Sequence, residues 1–480
     1  MLIATDTDES LFLEVAGFLL DSPPFQQATD QTEDCLTMSV SRPAGTTAGA
    51  GLPVLFWIFG GAFELGWTSM YDPSSILSQA IDQDQPLVFV AVNYRVAGFG
   101  FMPGKEILAN GSANLGLLDQ RLGLEWVADN IEAFGGDPAK VTIWGESAGA
   151  ISVFDQMALY GGDNTYNGQP LFRAAIMDSG SIVPADPVDC PKGQVVYDTV
   201  VETAGCSAAN DTLECLRALP YEQFLNAANA VPGFIGYQSV ALSYLPRPDG
   251  TALPDSPDIL AQNGQYAAVP MIIGDQEDEG TIFALFQSNI TTNDEVLEYL
   301  ATYYFNDATE AQIEGLLDTY PQDLGISGSP FRTGLLNELY PQYKRLAAIL
   351  GDLVFTLTRR GFLQLAETAN PDVPSWSYLS SYDYGTADLG TFHGSDLLQV
   401  FYGIYDDYAA NSIRTYYYNF LYNLDPNEGY GSYPDWPEWT DTGSGNQLAW
   451  FSASSQTLLT DDFRNDSYAY IVDNIDVFHI

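Results

Sequence analysis

Positive charge is what this sequence has least of. Sixteen Lys and Arg stand against 63 Asp and Glu, a formal net charge of -47. Such a surface repels nucleic-acid phosphates and anionic headgroups, so no nucleic-acid partner is expected. The same charge suits solubility in an acidic or extracellular medium. No run of about 18 apolar residues occurs, so no integral membrane span is expected. Histidine appears only as His393 and His479. Cysteine appears only as Cys35, Cys190, Cys206 and Cys215, which allow three full pairings. Spacing does not choose among them, although Cys206 and Cys215 are close enough to close a small local loop. There is no CxxC pair and no His-rich cluster, so neither a metal nor a cofactor is expected. Internal repeats, low-complexity linkers and composition breaks are also missing. Length alone suggests roughly three ordinary domains, but with no boundary in view residues 1–480 read as one domain.

The apolar stretch Leu11 to Leu20 is interrupted by Glu14, and no Lys or Arg precedes Arg42. A secretory signal wants a basic start, so this stretch is not one. The expectation is that a signal was removed or that the chain begins downstream of it. Sequons at Asn110, Asn210, Asn289 and Asn465 agree with a secreted protein.

Hydrophobic residues make up 46% of the chain and aromatics 13%, enough for a large core. Leu52 to Phe59 and Pro86 to Tyr94 are continuous apolar runs of the kind that form buried strands. Val141 to Trp144, Phe172 to Met177, Val269 to Ile273 and a segment near 375–380 read similarly. Helical spacing runs through Asn114 to Phe134, Ile151 to Leu159, 292–303, 344–368 and 409–422. Strands alternating with helices predict an α/β fold with a large, mostly parallel sheet covered on both faces.

Gly145-Glu146-Ser147-Ala148-Gly149 matches G-x-S-x-G and falls between strand VTIW and a helix. A nucleophile on so sharp a turn needs small neighbours, and the helix start favours a developing oxyanion. A serine hydroxyl needs an adjacent base. His393, in the loop Gly390 to Asp396, is nearly forced by elimination, because His479 is the penultimate residue, where chains tend to fray. An orienting acid should lie between Ser147 and His393 in chain order, after a buried strand. The loop Asp275-Gln276-Glu277-Asp278-Glu279 offers four carboxylates, and local physics does not select one. Gly60-Gly61-Ala62 follows strand LFWIF and can donate backbone N–H groups, joined by Ala148.

Taken together, EDCLTMSVSRP, LPVLFWIFGGAFELG, VNYRVAGFGF, DQRLGLEWVADNIEAFGGDPAKVTIWGESAGA, LFRAAIMDSGS, LSYLPRPDG, VPMIIGDQEDEGTIF and LGTFHGSDL resemble the type-B carboxylesterase/lipases, cholinesterase-like α/β-hydrolases. Within that family the sequence looks most like secreted fungal lipases and sterol esterases, from Thr32 onward. The resemblance implies an α/β-hydrolase fold and a Ser-His-Glu triad of Ser147, His393 and Glu279, the acid now chosen by DEGT. It implies an oxyanion hole from the N–H groups of Gly61, Ala62 and Ala148. A third glycine is usual where Ala62 stands. Phe234, Ile282 and Phe283 hold positions that line an acyl tunnel in similar lipases.

The chain is N-terminally shortened relative to that pattern. The family's cysteine upstream of Cys35 is missing, and Leu11 to Phe25 would be a remnant of the lid. Cys206–Cys215 is the disulfide the resemblance leaves intact, with Cys190 unassigned. The implied partner is a small-molecule or lipid ester, with contact to a lipid interface but no span. The implied activity is hydrolysis of apolar carboxylic esters, acylglycerols or steryl esters, through an acyl-enzyme. The alternative is a catalytically impaired relative acting as a binding protein, or a truncated product.

Overall fold

The computed structural model describes residues 31–323, 327–440 and 446–480. The segment Leu11 to Phe25 lies outside these. Nine strands form one sheet: β1 (Met38–Ser41), β2 (Leu52–Ile58), β3 (Val88–Val92), β4 (Gly136–Glu146), β5 (Ala174–Asp178), β6 (Met271–Gln276), β7 (Ser375–Ser380), β8 (Gln447–Ser452) and β9 (Ser455–Thr460). Their order is β1-β3-β2-β4-β5-β6-β7-β8-β9. The central strands run parallel, and only the outermost pairs, β1 with β3 and β8 with β9, are antiparallel.

Every residue of β3, β5, β6 and β7 is buried. Successive strand side chains point to opposite faces, so helices and loops must cover both. This is why these strands appear in the sequence as unbroken apolar runs. The terminal hairpin β8–β9 was not anticipated. Its burial alternates and weakens toward the edge, as befits strands with one wet side. The β4 strand also begins five residues earlier than Val141, beyond a register irregularity against β2.

The periodic segment 344–368 is not one regular helix. Helices Tyr343–Gly351 and Leu357–Ala369 are joined by a π-turn, Asp352–Thr356. A second π-turn spans Leu397–Phe401. Such wide turns re-aim side chains and favour functional sites. Both of these border the cavity described next.

A disulfide joins Cys206 to Cys215, while Cys35 and Cys190 are free thiols. All four sequon asparagines are exposed.

Candidate active site

β4 ends at Glu146, and helix Ala148–Ala158 begins two residues later. Ser147 carries the whole reversal, at φ 58° and ψ -127°. Positive φ is strained for any residue with a Cβ, and such strain gathers at functional sites. The flanking glycines are steric necessities. A Cβ on Gly149 would lie 2.1 Å from the Ile58 carbonyl oxygen, and one on Gly145 would lie 2.3 Å from the Gly149 backbone. The Ser147 N–H donates to the Asp178 carbonyl at 3.0 Å. The Asp178 carboxylate in turn accepts from Trp144 Nε1 at 2.7 Å and from the Tyr417 hydroxyl at 2.7 Å. The turn is therefore clamped to β5.

Ser147 Oγ lies 2.7 Å from His393 Nε2, and His393 Nδ1 lies 2.6 Å from Glu279 Oε2. The other Glu279 oxygen accepts the Gln276 N–H at 2.7 Å. Glu279 and His393 are buried and Ser147 is half-buried, and the rings of Phe283 and Phe355 pack against the imidazole at 5.0 and 4.5 Å between centroids. The loops after β6 and β7 are joined by Asp278. Its N–H donates to the Thr391 carbonyl and its carboxylate accepts the Thr391 N–H, both at 3.0 Å. That clasp fixes the loop bearing His393 beside the loop bearing Glu279.

The structure gives each acid of the loop a different partner. Asp275 accepts from Arg359 at 2.8 Å, Glu277 pairs with Arg332, and Asp278 also accepts from Ser329 Oγ at 2.9 Å. Only Glu279 reaches the imidazole. His479, expected to fray, instead lies between Asp186 and Asp258, at 3.5 and 3.6 Å. It is far along the chain from Ser147 and is bonded elsewhere.

A cavity of about 300 Å³ opens beside Ser147. Gly61, Ala62 and Ala148 line it, as do Phe234, Ile282 and Phe283. All the residues anticipated for the oxyanion hole and the tunnel thus face one space. Ala62 sits at φ 56° and Phe63 at φ 59°, so alanine occupies a left-handed conformation that glycine would hold more easily. Glu64 links two walls, its Oε2 accepting the Phe234 N–H at 3.0 Å. Burial pushes the Glu64 carboxyl up to about 7, partly countered by that hydrogen bond.

Two lining acids escaped the sequence reading. Glu146, the second residue of the G-x-S-x-G motif, lies 3.6 Å from His393 Nε2. Burial, reinforced by Asp396, Glu279 and Asp178, raises its carboxyl well above the usual range. Asp155 also lines the cavity. Its signal was available: a lone acid in the apolar helix AGAISVFDQMA, eight residues beyond Ser147 and therefore on the same face.

A mostly parallel sheet, a strand–serine–helix turn and a hydrogen-bonded Ser, His and Glu define an α/β-hydrolase. Comparison with solved structures agrees. EstA of Aspergillus niger superposes with a TM-score of 0.81 at 27% identity, over 95% of this chain and 86% of that one. A PNB esterase gives 0.73 at 25% identity, over 92% and 86%. A profile of the carboxylesterase family matches residues 18–470, and the chain belongs to that family. It is a carboxylic ester hydrolase of the lipase and carboxylesterase type. A secreted triacylglycerol lipase of Gibberella zeae is 65% identical over 96% of this chain and 78% of its own length. Lipase 4 of Diutina rugosa is 45% identical over 98% and 85%. Among the described residues no helix is long and apolar enough to cross a membrane.

Proposed function

We propose that this chain hydrolyses apolar carboxylic esters, acylglycerols foremost, through an acyl-enzyme on Ser147. The carrying observation is the unbroken hydrogen-bonded line Ser147–His393–Glu279, whose serine and histidine line an apolar cavity. His393 Nε2 takes the hydroxyl proton as Ser147 Oγ bonds to the ester carbonyl carbon. Glu279 holds Nδ1–H and stabilises the imidazolium. The N–H groups of Gly61, Ala62 and Ala148 receive the carbonyl oxygen as it becomes an oxyanion. The tetrahedral adduct collapses, the C–O bond to the alcohol breaks, and His393 returns its proton to the leaving alkoxide. Water, deprotonated by the same imidazole, then releases the acid and regenerates Ser147.

The acyl chain occupies the cavity past Phe283, Ile282 and Phe234. The substrate class draws support from relatives named as lipases, one of them a triacylglycerol lipase. Secretion is supported by relatives named as secreted, by the disulfide and by four exposed sequons open to glycans.

Hydrolysis of p-nitrophenyl palmitate by wild type and by Ser147→Ala tests the proposal. The variant should keep its fold and lose at least about 10⁴ in kcat. Equal rates in the two proteins would remove it.

A further inference from the structure

Five polar side chains line the cavity: Tyr71, Glu146, Ser147, Asp155 and His393. Glu146 and His393 adjoin Ser147, and Tyr71 lies within electrostatic reach of Glu146. Asp155 stands apart from this group. Ser147, Ile151 and Asp155 follow each other at four-residue steps, and all three line the cavity. The helix therefore runs alongside the cavity with one face turned into it. Eight residues at 1.5 Å rise set Asp155 about 12 Å along the axis from the serine. The rest of the lining is mostly apolar, including Ile151, Val183, Leu245, Pro246, Ile282 and Phe283.

Asp155 is fully buried, and neither carboxyl oxygen has a hydrogen-bond partner among the described residues. Burying a polar group without a partner is unfavourable, and burying a bare charge far more so. Burial alone pushes this carboxyl well above the ordinary carboxylate range. Burial thus favours the neutral COOH, one donor and one acceptor, on the wall of the cavity. Core packing gives no use for such a group, whereas a ligand oxygen would satisfy both of its functions.

We propose that Asp155 recognises a hydroxyl carried part-way along the acyl chain, so that esters of hydroxy fatty acids are preferred over their plain counterparts. This rests on the acyl-enzyme reading above, with the chain lying in the cavity. No covalent step is added: the carboxyl donates to and accepts from the substrate hydroxyl while Ser147 performs the chemistry.

The probe pair is p-nitrophenyl ricinoleate and p-nitrophenyl oleate, chains that differ by one hydroxyl. Wild type should favour ricinoleate in kcat/KM by about tenfold, the effect of one well-made buried hydrogen bond. Asp155→Leu should erase that ratio, so that the two esters are hydrolysed with equal kcat/KM. Asp155→Asn, which keeps a donor and an acceptor, should retain most of it. A second measurement needs no variant: free ricinoleic acid should inhibit wild type with a Ki about tenfold below that of oleic acid. Equal kcat/KM for the two esters in wild type, or equal Ki values, would overturn the inference and leave ester hydrolysis standing. Hydrolysis of neither ester would overturn the acyl-cavity reading and this inference with it.

Discussion

The chain's two histidines sit in opposite kinds of surroundings. His393 is asymmetric: a carboxylate holds Nδ1 at 2.6 Å, and a hydroxyl meets Nε2 at 2.7 Å. Aromatic rings back it, and an apolar cavity lies in front. His479 is nearly symmetric, with Asp186 at 3.5 Å on one nitrogen and Asp258 at 3.6 Å on the other. Burial opposes its charge, but those two acids outweigh burial and lift it to about 9. An imidazole flanked by two acids is held as a cation and has no nitrogen left to accept a proton. At His393 the nearest partner of Nε2 is a hydroxyl at 2.7 Å; Glu146 lies 3.6 Å from the same nitrogen, but burial disfavours its charged form, which suits the base role proposed for this ring. The two rings therefore differ in what lies nearest the second nitrogen, a hydroxyl at His393 and a carboxylate at His479.

The sharpest way to break this comparison is to remove each ring in turn. His393→Asn should lower kcat on p-nitrophenyl esters by roughly 10⁶. His479→Asn should leave kcat essentially unchanged in the same assay. Comparable losses in both variants would show that the distinction is empty. Next in size is Glu279→Gln, which keeps the shape but withdraws the charge on Nδ1. It should lower kcat by about 10⁴, because the imidazole loses its oriented tautomer and its counter-charge. A loss no larger than that from Asp278→Asn, measured with folding checked by circular dichroism, would place the acid elsewhere.

The sequence was legible wherever one local constraint decided the outcome. The turn at Ser147 is such a case: the strand, the glycines and the helix start are adjacent, and each is needed for the others to fit. The inner strands were legible because burial on both faces leaves an unbroken apolar run. The hairpin β8–β9 was not, since a strand with one wet face shows only weak alternation. The acid could not be chosen among Asp275, Glu277, Asp278 and Glu279 from the loop alone. Their partners, Arg359, Arg332, Ser329 and His393, come from segments that only the fold brings near. The choice of Glu279 came from family resemblance. The π-turn at Asp352–Thr356 was hidden because one extra residue barely disturbs an apolar period, yet it helps carry Phe355 onto the imidazole. Asp155 was passed over because an acid in a buried helix looks like noise until a cavity is seen beside it.

The smallest effect sharpens the comparison from the other side, through stability. The folded pKa of His479, about 9, lies above the ordinary 6.5. The folded state therefore binds the proton more tightly than the unfolded chain does. That stabilisation is fully present below about pH 6.5, declines above it, and is lost as pH rises through about 9. Because the ring is only partly buried and the pairs are long, the contribution is small, about 1 kcal/mol or less. In a chain of this size that corresponds to a Tm difference of roughly 1–2 °C. His479→Asn should melt below wild type by that margin at pH 6, and the two curves should converge by pH 10. Carboxylates elsewhere titrate in both proteins alike, so the difference between the curves isolates this one ring. A gap that stayed constant from pH 6 to pH 10 would mean that His479 contributes packing rather than charge.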